Sequence, residues 1–136
     1  MMLTYSTIHA LAVNAEGKYL LLERASNRPR SGTWNVVTGY IKEKEPAEYA
    51  ATRELKEETG LVGRIIRAAE PFWIDRENVR WVINAFLIEV KDTSSLHIDP
   101  GEASNYKWTD AKDQLIQEGD AVRETFFRLG LLEKSS

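Results

Sequence analysis

Apolar and polar positions along this chain fall into short blocks of changing period. Thr4–Val13 ("TYSTIHALAV") is β-branched and apolar and reads as a strand. Asn14–Gly17 is turn-like, and Lys18–Arg24 ("KYLLLER") reads as a second strand, which predicts a hairpin. A polar loop with Gly and Pro follows ("ASNRPRSGTW"), then a short extended piece, "NVVTGYI". Leu61–Ile74 ("LVGRIIRAAEPFWI") and Val79–Val90 ("VRWVINAFLIEV") read as two strands around a turn at Asp75–Asn78. The second is almost continuously apolar, as a buried central strand would be. "DTSSLHIDPGEASN" is a long loop, a feature that often carries function. "YKWTD" closes the strand set, and "AKDQLIQEGDAVRETFFRLGLLE" predicts one or two final helices. Strands with helices between and after them imply an α/β sandwich.

One segment has helical rather than strand character. Pro46 suits a first helical position, where its missing N–H is no loss. Gly60 suits the left-handed position just past the end. The expected helix is therefore Pro46–Thr59. Glu54, Glu57 and Glu58 stand at i, i+3 and i+4 and share a face. At about 100° per residue, Ala47, Ala50, Ala51 and Leu61 fall on that same side. Glu48, Tyr49, Thr52, Lys56 and Thr59 fall on the other. The carboxylates thus follow the small and apolar side. On a solvated face their repulsion costs a few tenths of a kcal/mol per pair. Partly buried, two unit charges about 6 Å apart repel by about 3 kcal/mol at an effective dielectric of about 20. A divalent cation removes that cost, and an all-oxygen cluster favours Mg²⁺ or Mn²⁺ over zinc.

Composition narrows the classes. The chain has 136 residues, 43% hydrophobic and 29% charged, which suits one globular domain spanning 1–136. A net charge of −3 disfavours a nucleic-acid polymer as partner. With no cysteine, disulfides, thiolate catalysis and thiolate zinc sites are excluded. No leader pattern or membrane-length apolar run is present, so the expectation is a cytoplasmic protein without a membrane partner. A homodimer is compatible with this composition.

The helix and its approach resemble the Nudix box, on Gly39, Glu45, Arg53, Glu54, Leu55, Glu57, Glu58, Gly60 and Leu61. The strands before and after also resemble the Nudix fold, an α/β/α sandwich with a mixed β-sheet. The resemblance implies a hydrolase of nucleoside diphosphate derivatives that uses Mg²⁺ or Mn²⁺. It implies Glu54 and Glu58 as main metal ligands, Glu57 as a ligand or positioning group, and the Gly39 carbonyl as a further ligand. Arg53, four residues before Glu57, would pair with and orient it. Around the box, Val37-Thr38-Gly39 replaces a common Pro-Gly-Gly, and Lys44 replaces a common glycine.

"WNVVTG" together with the downstream "EASNYKW" is similar to bacterial dihydroneopterin triphosphate pyrophosphatases. That likeness implies Glu102 as an extra metal ligand or general base, Arg24 as a phosphate contact, and Thr38 beside the substrate. Asp99 is the rival acid in the same loop. Arg28 and Arg30 read as a basic, solvated loop with phosphate binding as the alternative, His9 as a core histidine, and His97 as a loop residue. Any of Trp34, Trp73, Trp81 and Trp108 could stack on a base, though core positions suit most of them. The expected reaction is Mg²⁺-dependent water attack on a (deoxy)nucleoside or pterin triphosphate. The alternatives are another diphosphate substrate (an oxidised nucleotide, ADP-ribose or a dinucleoside polyphosphate) and a nucleotide sensor that binds without cleaving.

Overall fold

The computed structural model describes residues 1–133. Eight strands form one mixed sheet: β1 (Leu3–Val13), β2 (Tyr19–Arg24), β3 (Trp34–Asn35), β4 (Val37–Tyr40), β5 (Arg64–Ala68), β6 (Phe72–Arg76), β7 (Val79–Glu89) and β8 (Ala103–Thr109). Helix α1 (Ala47–Thr59) covers one face, and α2 (Gln114–Glu118) and α3 (Ala121–Arg128) cover the other. The expected α/β/α sandwich is the architecture found. No helix among the described residues is long and apolar enough to cross a membrane.

The spine is the parallel pair β1–β7, in register from Leu3↔Val79 to Val13↔Glu89. Both strands have long apolar runs because both faces are covered. Ile8, Ala10 and Ala12 pack with Phe86 and Ile88 beneath Ala50, Ala51 and Leu55 of α1. Leu11, Ile83, Ala85 and Leu87 pack on the other face against Ile116, Val122 and Phe126. The two alanines of α1 let the helix lie close to the sheet, which carries its glutamates toward the strand edge.

Three local expectations need correction. The β1–β2 hairpin exists only at its base, with Val13 opposite Tyr19. Beyond that the strands part: β1 takes β7 and β4, whereas β2 takes β3 and β8. The run 61–74 is two strands, β5 and β6, laid end to end along the same edge of β7. Pro71 stands at the break and has no N–H for the ladder. Finally, Pro46 is the extended residue capping α1 rather than its first helical one, with φ −63° and ψ 145°. Gly60 ends the helix with φ 73°, and its N–H donates to the Lys56 carbonyl.

The β6–β7 turn is tighter than the sequence suggested. Glu77 (φ 51°) and Asn78 (φ 62°) are its two central residues, as in a type I′ hairpin.

Candidate active site

The long loop 92–102 is held by the end of α1. The last carbonyls of a helix have no partner inside it. Here the Thr59 carbonyl accepts from His97 N–H (2.9 Å) and the Glu58 carbonyl from Asp99 N–H (2.9 Å). A Cβ at Gly60 would stand 2.5 Å from the His97 ring, so only a glycine admits the loop at this distance. The Glu102 carbonyl in turn accepts from Ala25 N–H (3.0 Å), linking this loop to loop 25–33. In this way the acids of the long loop arrive beside those of the helix.

The three box glutamates have different surroundings. Glu58 is buried, and its Oε2 has no hydrogen-bond partner. Burial pushes its carboxyl up to about 10, reinforced by the adjoining Glu54 carboxylate and then by the charges of Glu102 and Asp99. Glu54 is largely shielded and lies against Gly39 of β4. A Cβ at Gly39 would meet Glu54 Cδ at 2.3 Å, so glycine is required for this approach. Glu57 points outward, with its side chain 54% exposed. Thr59, placed on the polar side by helical spacing, is fully buried instead. The docked loop covers it, and its hydroxyl donates to the Leu55 carbonyl (2.5 Å).

Arg53 gathers the opposite set of charges. Its Nε donates to Glu45 Oε2 (2.6 Å) and its Nη2 to Glu45 Oε1 (2.9 Å). Its Nη1 donates to Glu54 (2.8 Å) and, more loosely, to Glu57 (3.2 Å), and its Nη2 also to the Tyr40 carbonyl (3.2 Å). Glu45 accepts as well from Lys42 N–H (2.9 Å). Hydrogen bonding from Arg53 holds the Glu45 carboxyl down at about 2. Arg53 was expected to orient Glu57; its shorter bonds go to Glu45 and Glu54. Lys44, where a glycine is common, has φ 62°. The turn before α1 therefore needs a left-handed residue, which explains that preference.

A cavity of about 460 Å³ opens beside β2, β3 and β4. Glu58, Glu102, Arg24 and Thr38 line it together, as do Trp34 and Arg30. Arg24 donates from Nε to the Pro29 carbonyl (2.6 Å). Glu102 faces Arg28, with Oε2 3.7 Å from Nη2. Among the described residues, no three His, Cys, Asp or Glu side chains stand together in a metal-ligating arrangement. Glu54 and Glu58 do meet; Glu57 is turned to solvent and Glu102 to Arg28. Two adjoining carboxylates, one buried with an unpartnered oxygen, nevertheless fit a hard divalent cation in donor chemistry.

The sequence did not single out Trp34 from the other tryptophans, nor the wall formed by Leu115, Gly119, Asp120 and Val122. Trp34 had one signal, its place next to the Val37-Thr38-Gly39 entry; the α2–α3 wall had none. His9 is a core residue, hydrogen-bonded from Nδ1 to Thr125 Oγ1 (2.7 Å).

In this α/β/α sandwich, Glu58 of the acidic helix and Arg24 line one cavity. Residues 4–129 match the NUDIX domain, and the chain belongs to that family. It is a hydrolase of phosphorus-containing anhydrides, in a family that acts on nucleoside phosphate derivatives and generally uses divalent cations. Phosphatase NudJ of Escherichia coli K12 is 29% identical over 109 residues, 78% of this chain and 69% of the relative. The fold is similar to that of a MutT protein from Methanosarcina mazei Go1, with TM-score 0.74, 21% identity and coverage of 95% and 94% of the two chains. It is also similar to that of the E. coli dihydroneopterin triphosphate pyrophosphohydrolase, with TM-score 0.67, 22% identity and coverage of 93% and 97%.

Proposed function

We propose that this chain is a Mg²⁺-dependent pyrophosphohydrolase that cleaves a nucleoside or pterin triphosphate by water attack at phosphorus. The observation that carries this reading is Glu58, buried beside Glu54 with an unpartnered oxygen and lining one cavity with Arg24. Glu54, Glu58 and the Gly39 carbonyl would hold the cation, with Glu57 and Glu102 as the further candidates. Bound there, Mg²⁺ or Mn²⁺ would neutralise phosphate oxygens and lower the pKa of water.

The chain's own groups have separate tasks. Arg53 positions Glu54 through a 2.8 Å hydrogen bond and links it to the entry turn through Glu45. Arg24 presents a planar donor set to a phosphate, and Thr38 a hydroxyl beside it. Glu102 accepts a proton from the attacking water. The water oxygen forms the new bond to phosphorus, the P–O bond of the α–β bridge breaks, and the bridging oxygen leaves with the electron pair, giving a monophosphate and pyrophosphate. The fold shared with the dihydroneopterin triphosphate enzyme and the "EASNYKW" likeness support a triphosphate substrate. A panel of nucleoside and pterin triphosphates, nucleoside diphosphate sugars and dinucleoside polyphosphates with Mg²⁺ tests this, reading phosphate and pyrophosphate release. Pyrophosphate from a triphosphate is the expected outcome. Turnover confined to diphosphate sugars, or to no compound, would overturn it.

A further inference from the structure

Arg24 at the end of β2 and Arg28 and Arg30 of loop 25–33 form a basic group beside Glu102. Arg24 and Arg30 line the cavity itself. Arg28 has a buried Nε with no hydrogen-bond partner, and its one ion pair among the described residues is the 3.7 Å approach to Glu102. That distance is too long for a hydrogen bond. A buried guanidinium nitrogen without an acceptor is costly, which argues against a merely solvated loop.

The loop is also built rather than loose. Arg24 N–H donates to the Thr33 carbonyl (2.8 Å), Gly32 N–H to the Arg24 carbonyl (3.1 Å), and Arg28 N–H to the Ala25 carbonyl (3.0 Å). Arg30 is held at φ 61°, a left-handed conformation unfavourable for a residue with a Cβ. Its carbonyl accepts from both Thr33 N–H (3.3 Å) and Thr33 Oγ1 (2.7 Å). Such strain persists where the surrounding structure over-determines it, often at ligand clamps. The arginines repel one another: burial and then the charge of Arg28 hold Arg24 below the usual guanidinium range, with Arg30 adding to this and Glu102 and Glu58 opposing it. A cationic group that repels itself calls for an anion, as the acids of the site call for a cation.

We propose that loop 25–33 is a polyphosphate clamp in which Arg28 and Arg30, beside Arg24, bind the phosphates farthest from the acidic helix. This rests on the triphosphate reading above and deepens it, because a clamp of three arginines suits a chain of at least three phosphates. Arginine is the residue fitted to this task, since its fork of donors matches phosphate oxygens two at a time.

The test is the Arg28→Gln, Arg30→Gln double variant, with Arg30→Gln alone as the change that leaves the Arg28–Glu102 pair intact. Binding of inorganic tripolyphosphate in Mg²⁺ is measured by calorimetry, and KM and kcat are measured on the best triphosphate of the panel. We expect the double variant to bind tripolyphosphate about tenfold or more weakly and to raise KM in parallel, with the smaller part of the loss in kcat. Arg30→Gln should give part of this effect. Should either variant fail to melt as a folded protein, the Arg→Lys pair, which keeps charge but not the fork, takes its place and should lose less. Failure of tripolyphosphate to bind the unaltered protein, or unchanged affinity and KM in the variants, overturns the clamp. If the protein cleaves no triphosphate but binds tripolyphosphate through these arginines, the clamp stands and the triphosphate reading falls.

Discussion

Helix α1 carries two clusters of charge that differ in how they are balanced. Around Arg53 the hydrogen bonding is settled within the protein: Glu45, Glu54, Glu57 and the Tyr40 carbonyl all accept from one guanidinium. Around Glu58 it is not: Glu54 adjoins it, the charges of Glu102 and Asp99 bear on it, and a buried oxygen has no partner. The first cluster stabilises the fold by itself. The second is stable in its ionised form only with something added. The difference separates a structural ion network from a site awaiting a ligand, on one helix and within two turns.

The largest expected effect follows from removing the unbalanced charge. Glu58→Gln should lower turnover by roughly two orders of magnitude or more, because a charged ligand is lost where charge must be neutralised. In metal-free buffer near pH 8 the same change should raise the melting temperature, since a neutral amide replaces an acid that resists ionisation. Glu45→Gln should do the reverse on the balanced side, lowering the melting temperature by leaving Arg53 short of its main partner. If both variants shift stability in the same direction, the contrast between the clusters fails.

Next in size is Glu102, which lies outside the box and reaches the cavity only through the docked loop. Glu102→Gln should lower kcat more than it raises KM, as expected for a group that matters when charge develops at the reacting centre. Asp99→Asn is the control in the same loop. Turnover lost with the Asp99 change and retained with the Glu102 change would mean that the other acid acts.

How much of this was legible in the sequence depends on the range of the contacts. Helix α1 and Gly60 follow from local spacing, whereas that spacing set Glu54, Glu57 and Glu58 on one side and did not separate buried Glu58 from exposed Glu57. Pro46 was off by one because a cap and a first turn share φ near −63° and differ in ψ. The β1–β2 hairpin and the buried Thr59 were misplaced because their partners are distant in the chain. β1 prefers β7, and loop 92–102 covers the helix end. The arginine loop looked solvated because nothing local shows that Arg28 Nε is buried. The α2–α3 wall has no chemistry in its pattern until the fold sets it against Arg24 and Trp34.

Metal and pH sharpen the comparison through stability alone. Saturating Mg²⁺ should raise the melting temperature, by an amount equivalent to about 2.7 kcal/mol at a hundred times Kd. Glu58→Gln should remove most of that gain. Without metal, Glu58 keeps its proton up to about 10 in the fold and loses it near 4.5 when unfolded. The folded state thus binds the extra proton between those values, and stability falls as pH rises across the window. His9 acts oppositely: burial holds it at about 4 against 6.5 unfolded, so its contribution rises with pH between those values and is constant above. Melts between pH 7 and 9 therefore isolate Glu58. A flat profile there, with no Mg²⁺ effect, would mean that its carboxylate is solvated.

The smallest effect belongs to the balanced cluster. Lys44 sits at φ 62° just before Glu45, and Glu45 is fixed by Arg53 and by Lys42 N–H. Holding a residue with a Cβ in this conformation costs about 1–2 kcal/mol. Glycine removes that strain but adds about 0.5–1 kcal/mol of unfolded-state entropy. Relief of strain outweighs the added entropy, so Lys44→Gly should stabilise by about 0.5–1 kcal/mol. Lys44→Ala keeps the Cβ and should change little. In an Arg53→Ala background Glu45 is released, the turn can relax, and the gain from Lys44→Gly should shrink. A double-mutant cycle by denaturant unfolding reads this coupling. Equal gains in both backgrounds would show that the turn holds its own shape, and that Arg53 organises the acids without fixing the entry to the helix.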